Sequence, residues 1–282
     1  MPINFPQFKE KGQYMMINEQ ALAILKDKIQ PVYTKDEVQF LVGPVKLPVN
    51  LDGETVTFQW YNWLTLGKHE LEEIREDEMA EHIIAKLPTM SLAEGQQSSV
   101  LVYGDFEHAD DALIRMHSIC HTGDIFGSKR CDCGYQLHQS MRMIVERGAG
   151  AVFYLANHEG RGIGLFSKSM AYLLQEEGMD TVEANLALGF ADDSRNYDAA
   201  IGVLAHLRQR PVILITNNPK KLAAMKESGM NLSGRVPLWG DVSEFNLKYL
   251  QTKVQRSGHL AAQEGEGRQL SVAELILEDH VS

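Results

Sequence analysis

The chain has 282 residues, of which 44% are hydrophobic and 23% are charged. This composition is that of an ordinary globular protein and excludes collagen-like and intrinsically disordered chains. The formal net charge of −11 argues against a nucleic-acid polymer as partner, because such binding depends on clustered lysine and arginine. The sequence has neither a run of about 20 apolar residues nor a secretory signal at its start. We therefore expect a cytoplasmic location without a membrane partner.

The first part of the chain predicts strands with a helix on either side. The apolar segment from Asn18 to Ile29 predicts a helix. Residues 45–63 predict two strands joined at Asp52-Gly53, because apolar and polar residues alternate around that pair. Residues 68–86 are strongly charged, with apolar residues at helical spacing, which predicts an amphipathic surface helix. Two further strands are predicted at residues 98–103 and 112–117.

From Gly134 onward, helical and strand patterns alternate. Helices are predicted at residues 136–147, 164–177, 197–208 and 218–229, and strands at residues 151–156 and 211–216. Strands followed by alternating helices and strands favour an α/β (α+β) fold with a mixed β-sheet and flanking helices.

We predict three parts along the chain. Residues 1–40 form an N-terminal extension of unknown role. Residues 41–260 form the main domain, with a helical insertion at about residues 68–94. Residues 261–282 form a C-terminal tail with one short helix.

All three cysteines lie close together, at Cys120, Cys131 and Cys133. An odd number cannot pair completely within the chain, which favours a reducing compartment and a local thiol site. Thiolates are soft ligands that suit zinc, and three protein ligands are typical of a catalytic zinc that keeps a position for water. Such a zinc lowers the pKa of its bound water from about 15.7 to about 7.

Other interpretations of the cysteines stay open on spacing alone. A structural zinc could take His117 or His121 as its fourth ligand. Three buried and inert cysteines are a second alternative. A redox pair is weaker, because redox motifs usually have two residues between the cysteines.

Long motifs surround the cysteines. The segment from Arg115 to Leu137 reads Arg-x-His-Ser-x-Cys-x-Thr-Gly-Asp-x-Phe-x-Ser-x-Arg-Cys-Asp-Cys-Gly-x-Gln-Leu. Further motifs follow in order: Glu159–Leu165, Asp180–Asn185, Leu188–Phe190, Asp193-x-Arg195 with Tyr197, Thr216–Lys221, Arg235–Leu238, Tyr249–Lys253 and Gly258-His259. This pattern closely resembles the GTP cyclohydrolase II family over about residues 98–260, and more weakly from about residue 45.

The resemblance implies a zinc-dependent hydrolase of the cyclic amidine type. Members open the imidazole ring of GTP and release formate and pyrophosphate, giving 2,5-diamino-6-(ribosylamino)pyrimidinone 5'-phosphate in the first step of riboflavin biosynthesis. One Zn²⁺ per chain, Mg²⁺ with the triphosphate and a homodimer are also implied. The bifunctional members carry a dihydroxybutanone phosphate synthase domain upstream, for which we expect no room in this chain.

The resemblance also assigns roles to individual residues. The implied zinc ligands are Cys120, Cys131 and Cys133, and the implied catalytic residues are Tyr172, Asp193 as proton acceptor and Arg195 as nucleophile. The positions implied for GTP are Arg115, Met116, His117, Ser118, Ile119, Gln136, Glu159, Gly160, Arg161, Thr181, Thr216 and Lys221.

The chemistry of these residues agrees with a nucleotide. Arg161, Arg195 and Lys221 offer positive charge to a triphosphate. The segment from Asn217 to Lys221 is predicted to follow a strand and begin a helix, so its backbone N–H groups are expected to face an anion. The carboxylate of Glu159 could accept hydrogen bonds from N1–H and the exocyclic amine of guanine.

Two positions depart from the family pattern. Ile119 replaces a usual Glu or Gln, and Asn157-His158 replaces a pair that is commonly Arg-Gln. Two alternatives follow. One is a divergent paralogue that acts on GTP or another nucleotide but retains the formyl group or serves another pathway. The other is a non-catalytic protein that binds zinc and nucleotide.

Overall fold

The computed structural model describes residues 19–72 and 74–260. The strands in these residues are β1 (Ile29–Tyr33), β2 (Glu37–Leu51), β3 (Glu54–Gly67), β4 (Ser99–Tyr103), β5 (Leu113–Ser118), β6 (Gly150–Leu155), β7 (Val212–Ile215) and β8 (Leu232–Val236). They form one sheet in the order β1-β2-β3-β4-β6-β5-β7-β8. The helices in these residues are α1 (Glu19–Leu25), α2 (Met79–Lys86), α3 (Cys133–Arg147), α4 (Gly164–Glu176), α5 (Thr181–Ala187), α6 (Asp198–Leu207), α7 (Pro219–Glu227) and α8 (Leu247–Gln255).

The sheet has an antiparallel half and a parallel half. Strands β1 to β4 pair antiparallel, β4 pairs antiparallel with β6, and the pairs β6-β5, β5-β7 and β7-β8 are parallel. The predicted α/β fold with a mixed sheet and flanking helices is therefore confirmed. The carboxyl ends of the parallel strands lie at one edge, where such sheets commonly place their binding sites.

The predicted hairpin around Asp52-Gly53 is confirmed and is longer than expected. Asp52 has a φ of 56° and Gly53 a φ of 92°, and a two-residue turn of this kind requires positive φ at both positions. The turn joins two strands of 15 and 14 residues.

Helices cover both faces of the parallel half. Ile201 and Leu204 of α6 pack with Ile114 of β5 in one core, and Ile144 of α3 packs with Leu113 of β5 in another. Successive side chains of a strand point to opposite faces. Arg115 and His117 therefore lie on the α3 face, and Met116 lies on the α6 face.

The predicted helix from Asn18 to Ile29 is wrong at its C-terminal end. Helix α1 ends at Leu25, a short 3-10 turn covers residues 26–28, and Ile29 begins β1. Pro31 disfavours helical geometry in the residue before it, and Ile29 and Val32 are buried. Strand β1 and the start of β2 lie before residue 40 and belong to the same sheet.

The predicted amphipathic helix at residues 68–86 is shorter in the structure. Only residues 79–86 form α2, preceded by 3-10 turns at residues 68–70 and 76–78. Like charges four residues apart, such as Glu72 and Glu76, destabilise a continuous helix. The apolar residues still serve as predicted, because Met79 and Ile83 are buried in a core with strands β1 to β3.

Four helices and strands of the described residues were not predicted: β1, α5, α8 and β8. Helix α5 carries a readable signal, because Asp180 accepts hydrogen bonds from the backbone N–H groups of Val182 (2.7 Å) and Glu183 (2.9 Å), a capping box. The helix predicted within residues 261–282 lies outside the described residues. Among the described helices, none combines the length and apolar character needed to cross a bilayer.

Candidate functional site

The three cysteine sulfurs meet at one point. They lie within 4.8 Å of one another, and the sulfurs of Cys120 and Cys131 are 3.5 Å apart. A zinc–sulfur bond of about 2.3 Å in tetrahedral geometry gives sulfur–sulfur distances of about 3.8 Å. The donor set and its spacing therefore fit a zinc ion. All three cysteines are free thiols.

The segment between the first two cysteines is folded tightly over the sulfurs. It forms a turn of π-helix at residues 121–125. A Cβ at Gly123 would lie 2.8 Å from the sulfur of Cys131 and 3.1 Å from that of Cys120. Close packing against the sulfurs therefore requires glycine at this position. This explains why the motif around the cysteines contains Gly123.

Asp124 fixes the start of this turn. Its Oδ2 accepts hydrogen bonds from the backbone N–H of Cys120 (2.9 Å) and from the hydroxyl of Tyr154 (3.0 Å). The Nε2 of His117 lies 3.0 Å from the same oxygen. Within the described residues the metal-type group contains the three cysteines and neither His117 nor His121. The alternative of a histidine as fourth ligand is therefore not supported.

A buried ion pair lies beside the cysteine group. The Nζ of Lys168 is 2.6 Å from Oε1 of Glu159 and 3.2 Å from the sulfur of Cys120. The other carboxylate oxygen of Glu159 accepts from the backbone N–H of His121 at 2.7 Å. Burial would lower the pKa of Lys168, but the charge of Cys120 and the bond to Glu159 raise it above its usual value. Glu159 thus faces the sulfur group.

Tyr172 reaches the same group from helix α4. Its hydroxyl lies 3.3 Å from the hydroxyl of Thr122, which is 3.7 Å from the sulfur of Cys120. The guanidinium of Arg130 stacks 4.3 Å from the centre of the Tyr172 ring. Burial raises the pKa of Tyr172, so the phenol is protonated at neutral pH.

A cleft of about 520 Å³ lies next to the cysteine group at the carboxyl edge of the sheet. Cys133 belongs to both. Of the sequence-predicted site residues, the cleft also brings together Arg115, His117, Ser118, Gln136, Arg195, Thr216 and Lys221. Its further lining includes Asn217, Asn218, Leu238, Trp239, Tyr249, Lys253 and His259.

Arg115 and Gln136 are held by a buried polar network at the base of the cleft. Arg115 donates to the carbonyl of Ile215 (3.0 Å) and to the side-chain oxygen of Gln136. Gln136 donates to Asp132 at 2.6 Å, and Lys253 donates to the other oxygen of Asp132 at 2.7 Å. The network links α3 to α8.

Lys221 is buried with few countercharges. Its Nζ donates to the carbonyl of Met116 at 2.6 Å. Burial, followed by the positive charges of Arg115 and Arg195, lowers its pKa well below the usual value. An anion in the cleft would favour the charged ammonium and raise that pKa.

The backbone at the start of α7 is already satisfied, which corrects one expectation. The N–H of Asn218 donates to the hydroxyl of Thr216 (3.0 Å), and the side chain of Asn218 accepts from the N–H of Lys220 (2.9 Å). The N–H of Lys221 donates to the carbonyl of Asn218. The expectation that these N–H groups face an anion is wrong, because the capping turn uses them.

Asp193 and Arg195 form a two-bonded ion pair at the rim of the cleft. The two guanidinium–carboxylate distances are both 2.7 Å. Burial alone would raise the pKa of Asp193, but its bonds to Arg195 and the charge of Lys220 hold the pKa well below its usual range. Asp193 is therefore ionised at neutral pH.

Several other sequence-predicted residues do not line the cleft. Met116 and Ile119 are buried, with 1% and 5% of their surfaces exposed. Arg161 donates to Asp192 at 2.6 Å, and Gly160 lies before it in the turn with a φ of 61°. Thr181 is the first residue of α5.

Sequence reasoning missed Lys168, Asp132 and Lys253 as site residues. Lys168 lies one helical turn before Tyr172, so the two share a face of α4. Asp132 lies between two cysteines, a position that a metal motif makes conspicuous. Lys253 lies in one of the family motifs, but it is 121 residues away from Asp132 in the sequence. No local sequence pattern predicts the contact between these two residues.

The fold and site define an α/β protein with a three-thiol group beside a basic cleft, an arrangement suited to a metal-dependent reaction on an anionic substrate. Residues 90–237 match the family model of GTP cyclohydrolase II. The chain therefore belongs to the GTP cyclohydrolase II family.

Two relatives, both named GTP cyclohydrolase-2, are matched over most of their length. The chain is 48% identical over 166 residues to the GTP cyclohydrolase-2 of Colwellia psychrerythraea, covering 59% of this chain and 82% of that protein. It is 44% identical over 192 residues to the GTP cyclohydrolase-2 of Histophilus somni, covering 64% and 88%.

A longer relative is matched over less than half of its length. The chain is 49% identical over 168 residues to the riboflavin biosynthesis protein RibBA of Bacillus subtilis, covering 59% of this chain and 42% of that protein.

Proposed function

We propose that this chain is a GTP cyclohydrolase II, which opens the imidazole ring of GTP and releases formate and pyrophosphate. The observation that carries the proposal is the position of Cys133, which belongs both to the three-thiol group and to the lining of the basic cleft. A nucleotide held in the cleft would therefore lie beside the thiols. Membership of the family supports GTP as the substrate.

Cys120, Cys131 and Cys133 would hold Zn²⁺. Bound there, Zn²⁺ would supply a Lewis acid that activates water for hydrolysis at neutral pH. The buried pair of Lys168 and Glu159 supports the ligand set, because Lys168 donates to the sulfur of Cys120. Hydrogen bonds to a ligand commonly orient it and tune the metal.

The triphosphate would be bound by the cations of the cleft, with Mg²⁺ as its counterion. Arg115, Lys221 and Lys253 line the cleft, together with Arg195 at its rim. Charge-assisted hydrogen bonds to phosphate are about twice as strong as neutral ones. The Nδ1 of His117 is buried and has no partner among the described residues, so it is available to the nucleotide.

Asp193 and Arg195 would act together at the reacting groups. The ionised carboxylate of Asp193 would accept a proton during addition to the ring and return it during C–N cleavage. A protonated guanidinium has no free electron pair, so a bond from Arg195 to phosphorus would require loss of a proton. Asp193 contacts two nitrogens of that guanidinium and would orient it. The proton would pass to the departing pyrophosphate as the nitrogen–phosphorus bond forms and the bond between the α and β phosphates breaks.

Tyr172 would position the nucleotide against the sulfur group. Its phenol lies two hydrogen-bonding steps from Cys120, through Thr122. A protonated phenol can donate to a purine nitrogen or to the opened formamide. The remaining residues of the implied set, including Glu159 to Arg161 and Thr181, would support this end of the site.

We also propose a homodimer in the cytoplasm and a place at the first step of riboflavin biosynthesis. Large apolar side chains are exposed near the site, at the end of the π-turn and on α4: Ile125, Phe126, Leu165, Phe166 and Leu173. Exposed apolar side chains of this size favour burial against a partner. Light scattering would give the mass in solution.

The test is an incubation of the full chain with GTP, Zn²⁺ and Mg²⁺, assayed for formate and pyrophosphate. Release of both supports the proposal, and a product mass that retains the formyl group supports the divergent paralogue. Binding of GTP without turnover would contradict an enzymatic role and favour a zinc- and nucleotide-binding protein.

A further inference from the structure

His158 is a buried histidine that the proposed chemistry does not use. It lies in the turn after β6 and has 2% of its surface exposed. Its Nδ1 is 3.1 Å from the hydroxyl oxygen of Ser118, at the end of β5. Its Nε2 is 2.8 Å from the carbonyl oxygen of Asn196. The ring thus joins the sheet edge to the loop that carries Arg195.

The two contacts fix the tautomer of the ring. A carbonyl oxygen can only accept, so Nε2 of His158 carries the hydrogen and donates to Asn196. In a neutral imidazole the other nitrogen is an acceptor, so the hydroxyl of Ser118 donates to Nδ1. Burial, followed by the charges of Arg195 and Lys221, lowers the pKa of His158 to about 4, which agrees with a neutral ring.

The direction of these bonds determines what Ser118 offers to Arg195. Because its hydrogen is used by His158, the oxygen of Ser118 can only accept from its other neighbours. The NH1 group of Arg195 lies 3.4 Å from that oxygen and donates to it. Asn196, held by the same histidine, is the next residue in the chain.

Asp193 and Ser118 hold different sides of the guanidinium. Asp193 accepts from Nε and NH2 of Arg195, at 2.7 Å each, and so fixes its charge. Among the described residues, the third nitrogen, NH1, donates to the hydroxyl oxygen of Ser118 at 3.4 Å. The ring of Tyr197 meets His158 edge-on, with 4.9 Å between centroids, and limits rotation of the imidazole.

We propose that His158 is a positioning residue for Arg195, acting through the hydroxyl of Ser118 and the backbone of Asn196. This inference rests on the proposed function only for the step that is assayed. A glutamine side chain has the same pair of groups, one donor and one acceptor, and can make both contacts.

Three single variants test this proposal: His158→Gln, His158→Leu and Ser118→Ala. A double variant combines His158→Leu with Ser118→Ala. His158→Leu keeps a side chain of similar bulk but removes both hydrogen bonds, because leucine is apolar. His138→Leu is the matched control, because His138 is exposed on α3. The zinc-loaded full chain is assayed with GTP and Mg²⁺ for pyrophosphate release, and KM is measured alongside kcat.

We expect His158→Leu to lower kcat for pyrophosphate release by about 10-fold to 100-fold, because small misplacements of a reacting group have effects of that size. KM and zinc content are expected to stay within a factor of about three of the control. His158→Gln is expected to recover most of kcat. The double variant is expected to be no slower than His158→Leu alone, since residues in one network are not additive.

A kcat of His158→Leu equal to that of His138→Leu would overturn the proposal. It would also be overturned if His158→Gln were as slow as His158→Leu, or if the two single effects multiplied in the double variant. Each result would show that the hydrogen bonds of His158 do not reach Arg195.

A second measurement is independent of the substrate. In ¹⁵N NMR of histidine-labelled protein, the His158 signals are assigned by their absence from the spectrum of a His158 variant. We expect these signals to show hydrogen on Nε2. We also expect Ser118→Ala to shift the resonance of Nδ1. Hydrogen on Nδ1 would overturn the proposal. If the unaltered chain releases no pyrophosphate from GTP, the proposed function fails, and this spectrum alone decides the role of His158.

Discussion

The candidate site has two ends that are built in different ways. The sulfur end comes from one segment of fourteen residues, Cys120 to Cys133, folded on itself around Gly123. The cation end collects side chains from β5, α7, the loop before α6 and α8. Local sequence therefore specifies the first end, and tertiary topology specifies the second.

The two ends also differ in how their charges are balanced. At the sulfur end, Lys168 is paired with Glu159 at 2.6 Å. In the cleft, Arg115 and Lys221 donate to backbone carbonyls and keep an excess of positive charge. A chain with a net charge of −11 can bind an anion because the cations are concentrated at this end.

The largest effect is expected from the sulfur end. Cys131→Ser removes one of three thiol ligands. A complete site would hold about one zinc ion per chain, and we expect the zinc content of this variant to fall well below that. Formate release should then fall below detection. Metal analysis after dialysis and a formate assay would check this, and unchanged circular dichroism would exclude unfolding. Full zinc content in this variant would contradict the ligand assignment.

The next effect is expected from the cation end alone. Arg195→Ala should abolish pyrophosphate release while leaving zinc content unchanged, because Arg195 contacts no cysteine. It leaves the carboxylate of Asp193, with 8% of its side chain exposed, without its main partner. Breaking a buried pair in this way costs about 3 kcal/mol of unfolding free energy.

A double variant separates the two consequences of losing Arg195. Arg195→Ala with Asp193→Asn removes the unpaired charge, so urea unfolding should recover much of the lost stability. Pyrophosphate release should stay absent. Recovery of release in the double variant would show that Arg195 serves only to balance Asp193.

A smaller effect is expected from the support of the sulfur end. Lys168→Met removes the donor to the sulfur of Cys120 and leaves Glu159 unpaired, so zinc affinity should fall about 10-fold to 100-fold. Lys220→Met is the matched control, because the ammonium of Lys220 pairs with the carboxylates of Asp192 and Asp193 at the cation end. Competition with a zinc chelator would measure both. Equal affinities would show that Lys168 has no influence on the ligands.

The last effect, which is absent at neutral pH, is a pH dependence of stability at the junction of the two ends. The pKa of His158 is about 4 in the folded chain and about 6.5 when unfolded, so only the unfolded chain takes up a proton between these values. Stability is unaffected above about pH 6.5 and falls by roughly 3 kcal/mol as the pH drops to about 4.

Replacing the histidine tests this dependence. His158→Gln should remove that part of the loss, and His138→Gln, at an exposed position, should keep it. Unfolding free energies from urea titrations at pH 7 and pH 4.5 would measure the difference. If His158→Gln kept the pH dependence of the unaltered chain, the result would contradict a buried neutral ring at His158.

Much of the sulfur end could be predicted from the sequence. Three cysteines at close spacing suggested a thiol site, and the structure brings their sulfurs within 4.8 Å. The mixed sheet and the hairpin at Asp52-Gly53 were also predictable, because alternation and turn residues are local signals. The family motifs supplied the remaining residues.

The cation end could be predicted only in part. Arg115 and Lys221 were expected from the motifs, but the contact of Asp132 with Lys253 depends on how α8 packs. The expected backbone anion site failed for a local reason: Asn218 caps its own helix. The position of Glu159 toward the sulfurs depends on Lys168, nine residues later in the next helix.

The bond between Lys253 and Asp132 has a consequence for biosynthesis of the chain. Asp132 lies between two of the cysteines, and its partners include Lys253 and the backbone of Gly240. A growing chain emerges from the ribosome N-terminus first, so the cysteine loop leaves more than a hundred residues ahead of the helix that completes it. Until α8 has been made, the cysteine loop of a nascent chain lacks the contact between Asp132 and Lys253.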